Sequence, residues 1–99
     1  MTIPFSARLT VPADVLMRDL GGEAVILNLK SETYFGLDEV GTRMWALLTT
    51  APSIEAAFEI LRVEYDVAPE RLRDDLEALI GQLLEKGLLE QVDGETQSG

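Results

Sequence analysis

Carboxylates are the commonest ionisable side chains in this 99-residue sequence: eighteen Asp and Glu stand against eight Lys and Arg, and His and Cys do not occur. That inventory removes thiolate nucleophiles, disulfides, zinc sites built on Cys or His, imidazole bases and Ser–His triads. The adjacent acids Asp74-Asp75 fall in a helical pattern, where successive side chains diverge by about 100°. No EF-hand-like or other metal spacing accompanies them. The pair reads as a solvated helix face. Gly21-Gly22 lacks a Gly-x-x-x-x-Gly-Lys context and no helix follows it, so it reads as a turn and not as a phosphate cradle. Neither an enzyme nor a metal or cofactor site is expected.

Charge excludes a second class. The net charge is −10, and residues 53–99 carry twelve acids and four bases, a net of −8. Phosphate-backbone binding depends on Lys and Arg displacing counterions, so a nucleic-acid role is not expected. The aromatic residues Tyr34, Phe35, Trp45, Phe58 and Tyr65 read mostly as core, with no interleaved bases of the kind an RNA-binding sheet needs. The first residues have no basic segment followed by a long apolar run. The longest purely apolar run is Met44 to Leu48, far short of a membrane span. A cytoplasmic protein without membrane contact is expected.

The elements that position these groups divide into a strand-rich front and a helix-rich back. Phe5, Ala7, Leu9 and Val11 alternate with polar residues, a period of two that predicts a half-buried strand. A second strand at residues 15–19 turns at Gly21-Gly22 into a third, residues 24–29, in which Val25, Leu27 and Leu29 share one face. After the polar turn Lys30-Ser31-Glu32 comes the strand Thr33 to Leu37. Asp38 then caps a helix whose stripe is Val40, Met44, Leu47 and Leu48, with Trp45 beside it. Pro52 ends that helix and Ser53 caps the next, with Ile54, Ala57, Phe58, Leu61 and Tyr65 on its apolar face. Pro69 opens a third helix with the stripe Leu72, Leu76, Leu79 and Leu83, and Gly87 stops it. Residues 88–92 suggest a short terminal strand. The result is one α+β domain over residues 1–92, of winged helix-turn-helix type: a small antiparallel three-stranded sheet followed by three helices. Residues 93–99 read as a disordered acidic tail.

Thr33-Tyr34-Phe35-Gly36-Leu37 carries neither charge nor proline. If the hairpins set the sheet order, this strand lies at an edge with a row of unpaired backbone groups, a place where proteins usually put Lys, Pro or a bulge. Either a neighbouring element covers it or it accepts an extended peptide. The third helix has an apolar arc wider than one sheet needs, because Ile80 and Leu84 extend it on one flank. A groove between that edge and that helix would offer ladder hydrogen bonds on one wall and apolar contacts on the other.

The stretches from Val15 to Leu29, Thr33 to Asp38 and Gly41 to Trp45, with the later pattern Asp75-x-x-x-Leu79-x-x-x-Leu83-x-x-x-Gly87-Leu88, resemble the PqqD-like family. These are the precursor-peptide recognition elements of ribosomally made, modified peptides. The resemblance spans residues 5–92 and is strongest to the stand-alone leader-binding proteins of lasso-peptide pathways. The quinone-cofactor branch carries a Cys-Asp-Gly turn after the first helix, where this chain has Thr49-Thr50-Ala51-Pro52.

The resemblance implies a non-catalytic protein that takes up a precursor's leader as an added antiparallel strand. It implies delivery to a cysteine leader peptidase, with a cyclase as a further partner, and a monomer or strand-exchanged dimer. The alternatives are a chaperone for a radical-SAM or other modifying enzyme and, more remotely, an acidic winged-helix regulator. Carried onto this chain, Thr33, Tyr34, Phe35, Gly36 and Leu37 supply the pairing strand, and Asp75, Leu76, Leu79 and Leu83 line the helical wall. The apolar overhang favours the other flank, with Arg73, Ile80 and Leu84, so the choice of flank stays open.

Overall fold

The computed structural model describes residues 4–92. The elements run β1 (Arg8–Thr10), β2 (Val15–Asp19), β3 (Ala24–Asn28), β4 (Thr33–Leu37), α1 (Glu39–Thr50), α2 (Ile54–Glu64), α3 (Pro69–Glu85) and β5 (Glu90–Val92). A three-stranded antiparallel sheet in the order β2-β3-β4 followed by three helices matches the expected α+β class. A second, two-stranded sheet pairs β1 with β5, Arg8 lying opposite Val92. The acidic tail at residues 93–99 lies outside the described residues.

Local chemistry explains most boundaries. Leu20 donates to the Glu23 carbonyl across the two-residue loop Gly21-Gly22, and both glycines have positive φ (85° and 101°). Two positive φ values in a row are what a right-twisting hairpin demands. The Asp19 carboxylate accepts from both glycine N–H groups and holds the turn shut. Asp38 caps α1 by accepting from Gly41 N, and Ser53 caps α2 by accepting from Ala56 N. At the end of α3, Gly87 takes φ 72°, Gly87 N donates to Leu84 O and Leu88 N donates to Leu83 O. That is a Schellman closure, and its apolar partners Leu83 and Leu88 are fully buried.

One expectation changes, and the structure settles which face of β3 is core. The period-two run from Phe5 to Val11 yields only a three-residue strand, because the carbonyls of Phe5 and Ala7 accept from the N–H groups of Glu55 and Ile54 at the start of α2. Unpaired donors at a helix N-terminus compete successfully for that backbone. Phe5 then packs edge-on against Phe58, with ring centroids 5.8 Å apart. In β3, the face shared by Val25, Leu27 and Leu29 is the open one, and the core takes Ala24, Ile26 and Asn28.

An ion pair ties α1 to α2: the Arg43 guanidinium donates to both Glu64 oxygens, Nε at 2.9 Å. The Arg43 hydrogen bonds hold the Glu64 carboxyl below its ordinary range. A carboxyl lowered by folding stabilises the fold above its unfolded pKa, near 4.3, and loses that contribution as pH falls through the lowered folded value. Side-chain NMR should find Glu64 titrating below ordinary glutamates, and Arg43→Gln should return it to the usual range.

Candidate functional site

The register of the sheet decides which groups are vacant. Leu20 N donates to Glu23 O and Leu29 N donates to Asp14 O, one bond at each end of the β2–β3 pairing. Antiparallel ladders alternate, so Val25 and Leu27 direct their N–H and C=O groups toward β2. Ala24, Ile26 and Asn28 therefore face β4, opposite Leu37, Phe35 and Thr33. By the same alternation Tyr34 and Gly36 point their N–H and C=O groups away from β3. β4 is the outer strand of its sheet, and β1, the nearest candidate to cover it, is paired with β5. Among the described residues no backbone hydrogen bond reaches the outward groups of Tyr34 and Gly36.

Side chains of β4 divide by face. Thr33, Phe35 and Leu37 turn inward, Leu37 fully into the core and Phe35 at its margin. Tyr34 stands on the open face, 71% exposed, in a row with Leu27 and Leu16 across the three strands. Tyr34 thus gives its backbone to the edge and its ring to solvent. An added Cβ at Gly36 would meet nothing within 4 Å.

The helical wall is set by α3. Its C-cap residue reaches toward β4: Lys86 Nζ lies 6.0 Å from the centre of the Phe35 ring. Residues seven apart lie on the same side of a helix, so half-buried Leu79 shares this flank, with Asp75 one turn further on. Asp75 is exposed and pairs loosely with Arg71 at 3.7 Å. Leu76, Ile80 and Leu83 are fully buried and form the core row of the helix. Ile80 joins the core where the sequence pattern favoured Leu79, which lies at the margin. Arg73 is on the far side, its guanidinium 4.3 Å above the Phe5 ring and 5.3 Å from that of Phe58. Of the two flanks left open by the sequence, the one bearing Leu79 and Lys86 faces β4.

Two residues escaped sequence reasoning. Lys86 carries the right signal, a long amphipathic side chain two turns after Leu79, but it reads equally well as a helix-ending cation. Asn28 is the one buried polar side chain among the described residues. Its Oδ1 accepts from Lys30 N and Ser31 N, while Nδ2 donates to the Gly87 carbonyl at 3.0 Å. This amide joins the β3–β4 turn to the end of α3 and so fixes the spacing of strand edge and helix.

The arrangement offers backbone donors and acceptors, an apolar margin, the Lys86 cation and the Asp75 carboxylate. Among the described residues no group of His, Cys, Asp or Glu could hold a metal ion, and no helix is long and apolar enough to cross a membrane.

An uncovered ladder beside a helix is the architecture of domains that accept an extended chain as an extra strand. The chain belongs to the PqqD family: the model described as coenzyme PQQ synthesis protein D matches residues 23–89, more than half the sequence. A solved structure titled TbiB1 in complex with the TbiA(beta) leader peptide is 32% identical, with a TM-score of 0.75, over 89% of this chain and 99% of that one. No curated protein matches. The PqqD-like resemblance read from the sequence is thereby established.

Proposed function

We propose that this protein binds the leader segment of a ribosomally made precursor peptide as an antiparallel strand on β4. The outward backbone groups of Tyr34 and Gly36 carry this reading, and the likeness to a protein solved with a leader peptide supports it. Residues of the added strand that alternate inward meet Phe35, Leu79 and Lys86, and Asp75 is placed to receive a donor or cation from the leader. Thr33 and Leu37 hold β4 onto β3. Leu76, Ile80 and Leu83 support the wall from within the core, and Arg73 takes no part in it.

The precursor then passes to processing enzymes, in a lasso-peptide pathway a cysteine leader peptidase and a cyclase. Joining precursor and peptidase on one carrier raises their effective concentration without any catalytic group on the carrier. The protein acts in the cytoplasm, as a monomer or a strand-exchanged dimer. The family match favours a second reading, a chaperone for a radical-SAM enzyme, against which stands Thr49-Thr50-Ala51-Pro52 in place of the quinone branch's Cys-Asp-Gly.

Amide exchange tests the site. Adding the synthetic leader of the pathway's precursor should slow exchange at Tyr34 and Gly36 by about tenfold or more, as a newly paired edge requires, and leave Phe35 unchanged. Equal exchange at Tyr34 and Gly36 with saturating leader would remove strand addition from the account.

A further inference from the structure

On the side of α3 away from β4, a groove of about 700 Å³ runs between α3 and β5. Ile80, Gly81 and Leu84 form its apolar floor, Glu77 and Glu85 its rim, and Gln91 reaches it from β5. Leu84 is only half-buried there. Gly81 lies well inside a seventeen-residue helix, and an added Cβ would meet nothing within 4 Å. A glycine in a helix interior costs about 1 kcal/mol relative to alanine. No contact inside this chain requires it, so the bare backbone is open to something from outside.

The charge around the groove narrows what that is. Glu70, Asp74, Glu77 and Glu85 recur at helical spacing along this side of α3, and among the described residues none takes part in an ion pair. The cations nearest in sequence are engaged elsewhere: Arg71 with Asp75, Arg73 with the rings of Phe5 and Phe58, and Lys86 near the ring of Phe35. The chain's own end, with Asp93 and Glu95, would bring like charge to this rim, and a second copy would bring the same four carboxylates. A leader strand on β4 would meet α3 at the flank bearing Leu79 and Lys86, and neither residue lines this groove.

We propose that the α3–β5 groove docks the processing enzyme through a basic amphipathic segment, its apolar residues packed over Gly81 and Leu84 and its Lys or Arg residues paired with Glu77 and Glu85. This rests on the leader-binding reading above and deepens it: the two flanks of α3 serve two ligands at once, so precursor and enzyme meet on one helix.

The test uses the full chain, a fluorescent leader peptide and the purified leader peptidase of the same pathway. Glu77→Lys combined with Glu85→Lys should weaken peptidase binding by about tenfold or more, because reversed rim charges repel the partner. Leader affinity should stay unchanged. Salt should weaken peptidase binding to the parent chain more than to this double variant. Gly81→Gln fills the groove with a good helix former, so it should weaken peptidase binding while the melting temperature holds or rises. Peptidase binding that survives both changes, or that is absent from the parent chain, overturns the docking proposal. A parallel loss of leader affinity overturns it too, because the flanks would then not be separate. Failure of the parent chain to bind leader, with peptidase binding still sensitive to Gly81→Gln, strikes the leader reading alone.

Discussion

Gly36→Pro is expected to lower affinity for the leader about a hundredfold while leaving a folded domain. The reason is the direction of one N–H. In β4 the ladder to β3 is made by Thr33, Phe35 and Leu37, and Gly36 aims its donor at the vacant edge. Proline there removes no bond of the resting fold, which is the setting in which sheets tolerate it. It also keeps Phe35, already extended, in the region that a residue before proline prefers. The incoming strand would find a missing donor and a ring in its path. A buried acceptor left unpaired costs about 1–3 kcal/mol, and each 1.4 kcal/mol is tenfold in affinity. Gly36→Ala keeps the donor and puts a methyl into open space, so it should bind leader nearly as the parent does. Phe35→Pro is the converse: it breaks the β3–β4 ladder and should lower the unfolding midpoint. Leader titrations paired with thermal melts separate the three. Unimpaired binding by Gly36→Pro would mean that the leader does not pair with this edge.

The contrast among these substitutions marks what a sequence can carry. The bounds of β4 were legible because a charge-free, proline-free run lies between the polar turn Lys30-Ser31-Glu32 and the helix cap Asp38. Which of its backbone groups are free was not. That parity follows from the hydrogen bonds Leu20–Glu23 and Leu29–Asp14 in a different strand pair, and no pattern within residues 33–37 records it. The same difficulty affected β3. Alternation assigns Val25, Leu27 and Leu29 to a common face, but which face becomes core depends on where the helices settle, and the small Ala24 and the polar Asn28 were the ones enclosed. On α3 the apolar arc is broad on both sides, so composition alone could not choose between Asp75-Leu79 and Arg73-Leu84. Arg73 was settled by Phe5 and Phe58, two rings from segments distant in sequence. Short-range signals such as Gly21-Gly22, Asp38, Ser53 and Gly87 were readable because each acts within a few residues of itself.

Asn28→Ala is the second large effect, with an expected loss of about 2–4 kcal/mol in stability, since it strips partners from three backbone groups. Lys30 N and Ser31 N can recover water, because the turn is exposed. The Gly87 carbonyl is less accessible, and its replacement partner must come from the space between sheet and helix. The substitution therefore acts on the site as well as the fold. With the amide gone, the end of α3 is no longer fixed to the β3–β4 turn, and Lys86 loses its set distance from Phe35. Leader affinity should fall several-fold even at temperatures where the variant is fully folded, although residue 28 touches no leader. Asn28→Asp distinguishes donor from acceptor. It keeps both Oδ1 bonds but turns a carboxylate toward the Gly87 carbonyl, and burial beside that oxygen raises a carboxyl pKa. A group whose pKa is raised by folding stabilises the fold below the raised value, where the protonated acid can again donate to Gly87. The deficit of Asn28→Asp should accordingly shrink as pH falls toward 5, whereas that of Asn28→Ala should not. Denaturant titrations of both variants across that range measure the difference. A pH-independent deficit in Asn28→Asp would show that the turn bonds, and not the link to α3, hold the edge and the helix in register.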